Sequence, residues 1–299
     1  MARSGRQVDM SDMPCVVVSG ARGLLGATLM RVLPYAGFRA IPLFSDIRDA
    51  PAVAKQIAQA APAHVVHAAA MTYVAACERQ PQEAFAVNGE GTKNVVRAAR
   101  AVGSPVLYIS TASVFKGDHG DYREEDVPEP TNAYNRSKRE GERYTLDYDR
   151  GTVLRLNLIG IHPDSSRGQN FFEWLLDGIR ANKDITLFAD ACINPLSNWT
   201  IAALIAKILK CDGSGRILHI GSRDVKSKAA IGELVRARFP GYRGTVRPGS
   251  VDAVVDGVFR PKQMWLNTDR ASALFGPMPT VVQELDTMFA QSSVMDPLG

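Results

Sequence analysis

Three glycines, Gly20, Gly23 and Gly26, follow the apolar run Cys15 to Ser19 directly, and much later in the chain Tyr134 and Lys138 stand four residues apart. The apolar run reads as a strand, and glycines after it permit a tight turn and close approach of a pyrophosphate to the N-terminus of the next helix. Leu25, Leu29, Val32 and Leu33 supply the apolar stripe that such a helix needs. Tyr134 and Lys138 share one face of a helix. A phenol, ordinarily near pKa 10, exchanges protons at neutral pH only if its anion is favoured, and an ammonium one turn away does that. A second run, Val106 to Thr111, ends in a hydroxyl residue at the carboxyl edge of a sheet, where open α/β folds bind ligands. Together these residues point to hydride chemistry on a nicotinamide, with a proton delivered to a carbonyl oxygen.

Such groups need a scaffold that brings strand ends together. Runs at 39–44, 63–68, 106–111, 152–156 and 216–220 each follow a helix-length amphipathic segment, and alternation of this kind makes a parallel sheet. Pro42 lies within the second run, and because proline cannot donate to a ladder it marks a strand end. After Gly160 the prolines multiply and the helices shorten, as at Phe171 to Ala181 and Ile231 to Phe239. The expected fold is α/β: a Rossmann-type doubly wound parallel sheet with a smaller C-terminal α/β substrate lobe. Residues 14–160 with about 201–221 form the dinucleotide-binding domain, and about 161–200 with 222–299 the substrate lobe.

The bulk properties fit a cytoplasmic protein. At 299 residues and 45% hydrophobic the chain can bury one large core or two lobes. The net charge of +4 is spread among interleaved acids and bases, which predicts no nucleic-acid partner. Residues 1–13 read as a disordered leader without an apolar signal core, and no apolar run is long enough for a membrane span. Cys15, Cys77, Cys192 and Cys211 lie far apart, as reduced thiols do, and neither they nor the five histidines show metal-ligand spacing.

The chain resembles the extended short-chain dehydrogenase/reductases, and among them the dTDP-4-dehydrorhamnose reductase-like branch. The resemblance rests on blocks in family order: Asp46 to Asp49, His67 to Thr72, Val87 to Thr92, Ser110 to Gly117, Tyr134 to Lys138 with Gly141 and Glu142, Asn170 and Phe171, Arg260 and Pro261, and Leu266 to Asp269. It implies a catalytic triad of Thr111, Tyr134 and Lys138, in which Thr111 holds the carbonyl oxygen and Ser110 and Ser113 are alternative hydroxyls. It implies cofactor contacts from Gly20, Arg22, Gly23, Leu24, Leu25, Gly26, Asp46, Ile47, Ala68, Ala69, Ala70 and Asn88, together with Tyr134 and Lys138. Asn170, Phe171 and Arg260, with Thr111, are the implied substrate contacts, the first two cradling a nucleotide diphosphate. A nucleotide sugar is the implied substrate, and a homodimer the implied assembly.

Two choices remain open in the residues. Asp46 could select NAD through its ribose diol, but the second strand ends at Phe44 and Ser45 without an acid there, and Arg22 can face a 2′-phosphate. The balance favours NADP(H) over NAD(H). The reaction expected is reduction of a 4-keto group, with a 4-epimerase holding NAD, or a non-catalytic NADP-binding regulatory subunit, as the alternatives. A 4,6-dehydratase is disfavoured, because Ala112 and Ser113 after the hydroxyl residue supply neither the acid nor the base that elimination needs. Val74-Ala75-Ala76 replaces the family's Val-Asp-Lys, and Leu156 to Gly160 lacks its tryptophan, so the 4-keto-6-deoxy sugar is the leading candidate among several.

Overall fold

Val16, Val17 and Val18 put apolar side chains on both faces of one strand, which only a sheet covered on both sides can bury. In the computed structural model, which describes residues 12–164, 170–211, 216–254 and 257–291, that strand is β1 (Cys15–Ser19), buried along its length. It is followed by α1 (Leu24–Tyr35), β2 (Arg39–Leu43), α2 (Ala50–Ala60) and β3 (His64–His67). The short helices α3 (Val74–Arg79) and α4 (Pro81–Phe85) run through a π-helical turn at Ala86–Gly91 into α5 (Thr92–Ala101). Then come β4 (Val106–Ile109), α6 (Ala133–Leu146) and β5 (Gly151–Leu156).

Five of these strands and a later one, β10 (Ile217–Ile220), form a parallel sheet in the order β10-β5-β4-β3-β1-β2. The expected Rossmann-type doubly wound sheet is therefore present. Pro42 is not a strand end: it sits inside β2 opposite Val18. The strand accepts it because β2 is the sheet edge, where a missing N–H leaves no partner unsatisfied.

Two apolar layers enclose the sheet. On one face Leu25, Leu29 and Leu33 of α1 meet Val16, Val18 and the Leu204, Ile205 and Ile208 side chains of a later helix. On the other, Val53 and Ile57 of α2 and Val95, Val96 and Ala99 of α5 pack on Val17, Val65 and Val106.

Beyond β5 the chain contributes β6 (Leu158–Ile159), α7 (Phe171–Arg180), β7 (Ile185–Phe188), β8 (Cys192–Ile193), β9 (Leu196–Ser197) and α8 (Asn198–Ile208), the helix that covers α1. After β10 follow β11 (Lys226–Ser227), α9 (Lys228–Arg236), β12 (Val246–Gly249), α10 (Asp269–Phe275) and α11 (Val281–Gln291). A second core joins Phe172, Leu175 and Ile179 of α7 to Ile231 and Val235 of α9 and Leu285 and Phe289 of α11, against Ile185 and Leu187. Three two-stranded pairs, β7 with β12, β8 with β11 and β6 with β9, complete this part. Helix α9 starts three residues before the expected Ile231, because the Ser227 hydroxyl accepts the Ala230 N–H and caps it there. Of the expected leader, residues 1–11 lie outside the described residues.

Candidate active site

The glycine turn opens on a cleft of about 510 Å³ at the carboxyl end of the sheet. Gly20 has φ of 68°, and a Cβ there would lie 2.6 Å from the Ala69 nitrogen, so the turn and the strand exit beside it touch backbone to backbone. Gly23 occupies the N-cap of α1 without a side-chain cap, and no acid stands in the first turn. The orphan N–H groups and positive end of a twelve-residue helix are thus left to the cleft, whose wall includes Gly20, Gly23, Leu24, Leu25 and Gly26. This arrangement fits the pyrophosphate of a dinucleotide.

Behind the turn a buried relay fixes the exit of β3. The Ser19 hydroxyl accepts the Ala68 and Ala69 N–H groups at 3.1 and 3.2 Å and donates to Nδ1 of His67 at 2.5 Å. His67 Nε2 in turn meets the Thr92 hydroxyl at 2.9 Å, which donates to the Asn88 carbonyl at 2.7 Å. Burial, seconded by the Lys138 charge, pushes His67 down to about 3, so it is a neutral structural link. Ala68 and Ala70 line the cleft, while Ala69 packs into the core under the sheet.

Helix α6, capped by Asn132, carries the Tyr-Lys pair into the same cleft, where Thr111, Tyr134 and Lys138 all contribute to the wall. Thr111 Oγ1 accepts the Ser113 N–H at 3.1 Å, and its hydroxyl stands beside the Tyr134 phenol. Its two neighbours are committed elsewhere: Ser110 donates to Glu142 at 2.6 Å and Ser113 to the Met264 sulfur at 3.2 Å. The Lys138 ammonium, nearly fully buried, donates to the Ile109 carbonyl at 2.7 Å and lies 4.1 Å from the centre of the Tyr108 ring. Burial lowers Lys138 to about 7, opposed by the Glu142 carboxylate. Tyr134 is pushed up to about 12 by burial, opposed by the nearby Thr111 hydroxyl. The expectation that the lysine makes this phenol acidic does not hold in the protein alone. Desolvation wins, and Tyr134 keeps its proton at neutral pH, the form a proton donor requires.

At the far end the wall passes through Asn157, Asn170, Phe171, Lys228 and Met264. Asn170 begins α7 with a reciprocal capping box: Oδ1 accepts the Phe172 and Glu173 N–H groups, and Nδ2 donates to the Glu173 carboxylate at 2.7 Å. Its polar atoms are thereby occupied. Lys228, which the sequence reading passed over, sits at the first turn of α9 with its ammonium 5.3 Å from the Phe171 ring centre and 5.7 Å from that of Phe188. Burial and the nearby Arg260 charge both lower its pKa. Only the serine cap before it, a helix-start signal, marked the position.

Several expected contacts lie off this wall. Asn88 is fully buried and clamps the Met71 backbone through both amide atoms, at 2.8 and 3.0 Å, so it shapes the cleft's rim from behind. Ile47 is buried against Gly91, and Asp46 is chelated by Arg48, which holds its carboxyl down at about 2. Arg22 is exposed, with its guanidinium 6.0 Å from the centre of the Phe44 ring. Arg260 lines a neighbouring cavity of about 430 Å³ with Lys116, Phe259 and Lys262. Among the described residues no cluster of His, Cys, Asp or Glu could hold a metal, and no helix is long and apolar enough to cross a membrane.

This geometry agrees with what the chain is similar to. The RmlD substrate binding domain matches residues 13–293. The chain belongs to that family. It is 32% identical over 272 residues to dTDP-4-dehydrorhamnose reductase of Streptomyces griseus, covering 87% of this chain and 88% of that one. It is 36% identical over 155 residues to methionine adenosyltransferase 2 subunit beta of Pongo abelii, covering 48% and 46%. The dTDP-4-dehydrorhamnose reductase of Bacillus anthracis, solved in complex with NADP, superposes with a TM-score of 0.86 at 25% identity over 94% of this chain and all of that one. Membership of this branch of extended short-chain dehydrogenase/reductases makes the protein an NAD(P)-dependent oxidoreductase of sugar-nucleotide type.

Proposed function

We propose that the protein reduces the 4-keto group of a nucleotide-activated deoxysugar, with a dTDP-4-dehydro-6-deoxyhexose as leading substrate and NADPH as reductant. The observation that carries this reading is the meeting of an uncapped helix start and a protonated, half-buried tyrosine beside a threonine hydroxyl in one cleft.

A reduced nicotinamide, when bound, supplies the hydride. Gly20, Gly23 and the first N–H groups of α1 hold its pyrophosphate, and Ala68 and Ala70 border its path. Thr111, beside Tyr134, donates its hydroxyl proton to the substrate carbonyl oxygen and orients it. Tyr134 transfers H⁺ to that oxygen as the carbonyl carbon gains hydride, so a C=O becomes CH–OH and the phenol becomes a phenolate. Lys138, in the same wall, offsets that new negative charge. At the far end Phe171 offers an apolar face, and Lys228 offers an ammonium to a diphosphate. Its place at a helix start, where the dipole disfavours a cation, supports an anion as its ligand.

Preference for NADPH rests on the β2 edge. Asp46, the acid that could bind a ribose diol, is already held by Arg48, and the exposed Arg22 beside Phe44 would supply a guanidinium for a 2′-phosphate. The deciding assay follows NADPH and NADH oxidation with a panel of nucleotide 4-keto sugars, wild type against Tyr134→Phe. Turnover by the wild type that the variant loses is expected. If neither dinucleotide is oxidised and no nucleotide sugar raises the melting temperature, the reading fails. The likeness to methionine adenosyltransferase 2 subunit beta favours a second reading, a non-catalytic subunit. A stoichiometric complex without NADPH consumption would identify it.

A further inference from the structure

The Tyr-Lys face of α6 continues one turn further than the proposed chemistry uses. Gly141 allows this helix to lie close, since a Cβ there would meet the Asn88 carbonyl at 2.7 Å as well as the Tyr108 hydroxyl. From that distance the helix grips the end of β4 at successive residues. Lys138 Nζ takes the Ile109 carbonyl at 2.7 Å, Glu142 takes the Ser110 hydroxyl at 2.6 Å, and Tyr134 faces Thr111. Tyr134, Lys138 and Glu142 are spaced four apart, one helix face reading one strand end.

Glu142 is held unusually firmly. Its carboxylate is fully buried and accepts from Arg155 Nε and a terminal guanidinium nitrogen, each at 2.8 Å, from Ser110, and from Arg139 at 3.0 Å. Four donors fill the acceptor capacity of a carboxylate. Arg155 is almost fully buried on β5, stands over the Phe115 ring at 5.0 Å, and donates to His219 at 3.3 Å. An apolar pair of the same volume would fill this space without the cost of desolvating two charges, so stability alone does not account for the ion pair.

We propose that Glu142, clamped by Arg155, is a positioning residue for the protonation step: it pins Ser110, and with it Thr111, against Tyr134, and its charge is the counter-ion of Lys138. The other titratable groups facing Lys138 are His67 on β3, Tyr108 on β4 and Tyr134 on α6 itself. His67 is held neutral at about 3, and burial raises both phenols, so Glu142 is the group of opposite charge among them. Beyond Glu142, Arg155 and Arg139 neutralise the carboxylate from its other sides.

The kinetic arm of the test rests on the reductase reading; the titration arm does not. Protein labelled with ¹³C in lysine is titrated by NMR, wild type against Glu142→Gln. The Lys138 midpoint is expected to fall by about one pH unit or more, a tenfold change in its protonation equilibrium. The alkaline limb of kcat for reduction should move down with it, while NADPH affinity stays within twofold. Ser110→Ala, which removes the pin and keeps the charge, should lower kcat about tenfold with an unchanged pH profile. If Glu142→Gln fails to fold, the double variant Glu142→Gln/Arg155→Met, free of an unpaired guanidinium, is titrated instead, with a smaller shift of the same sign expected. A lower melting temperature with the Lys138 midpoint and pH profile of the wild type would reduce Glu142 to a structural ion pair. A wild-type kcat in Ser110→Ala would overturn the pinning. Should the wild type reduce no keto sugar at all, the reductase reading fails, and the NMR midpoint still decides the role of Glu142.

Discussion

The two ends of the cleft are made of different material. The glycine-turn end is backbone: an uncapped helix start, a turn at φ 68° that touches the Ala69 nitrogen, and an alanine run fixed by Ser19 and His67 from behind. The opposite end is side chain: the Phe171 ring, the Lys228 ammonium, and Asn157 and Met264. Backbone groups sit where secondary structure puts them and lose no rotamer freedom on binding, which suits an invariant pyrophosphate. Side chains can be exchanged one at a time, which suits a sugar nucleotide that differs between relatives. Tyr134, Thr111 and Lys138 line the same cleft.

That contrast can be broken most severely at Tyr134. Tyr134→Phe should lower kcat by about 10³-fold while leaving dinucleotide affinity within a few-fold, measured by stopped-flow NADPH oxidation and fluorescence titration. An equal loss in binding would place the phenol in ground-state recognition instead.

Acid should strike the support behind the backbone end. His67 and His219 are both buried and held near 3, against an ordinary 6.5, by desolvation. Between those values the unfolded chain binds protons that the folded protein refuses, so stability rises with pH across this window and is lost as pH falls from about 6.5 toward 3. Urea denaturation at pH 7 and pH 4.5 should show a loss of several kcal/mol, larger than in a His67→Asn variant. A flat profile would mean these rings are hydrated.

Gly20→Ala tests the backbone end directly. The left-handed φ and the approach of Ala69 leave no room for a methyl group, so stability should drop by about 2 kcal/mol and NADPH should no longer raise the melting temperature. Lys228→Met tests the other end. The KM for a nucleotide-diphosphate sugar should rise about tenfold with kcat nearly unchanged, the loss of one charge-assisted contact. An equal effect on NADPH binding would move Lys228 out of the sugar end. The smallest effect is expected of the exposed Arg22: Arg22→Ala should reduce the preference for NADPH over NADH about fivefold, read from the two kcat/KM values. A preference that survives intact would assign the choice to other residues near β2.

Legibility followed the same division. Gly20, Gly23 and Gly26 after β1, and Thr111 at the end of β4, are short-range patterns, because a strand, a turn and a helix start are decided within a dozen residues. Pro42 was legible as a misfit, yet only the sheet order shows it to be an edge residue. Lys228 escaped notice because a single lysine after a capping serine reads as solvated until α9 is packed beside α7 and the Phe171 and Phe188 rings close around it. Asp46 was legible as a cofactor contact, with its role at a ribose diol already disfavoured, yet nothing local says that Arg48 folds back on it.

By itself, then, the order of residues determined the alternating strands and helices, the glycine turn after β1 and the residue types proposed for the chemistry, since each depends on neighbours in the chain. The tertiary structure decided which hydroxyls are committed elsewhere, which carboxylate acts on Lys138, and that Tyr134 keeps its proton. Those outcomes are set by desolvation and by partners such as Glu142 and Arg155, thirteen positions apart. Burial and partnership at that range are properties of packing, and no local pattern encodes them.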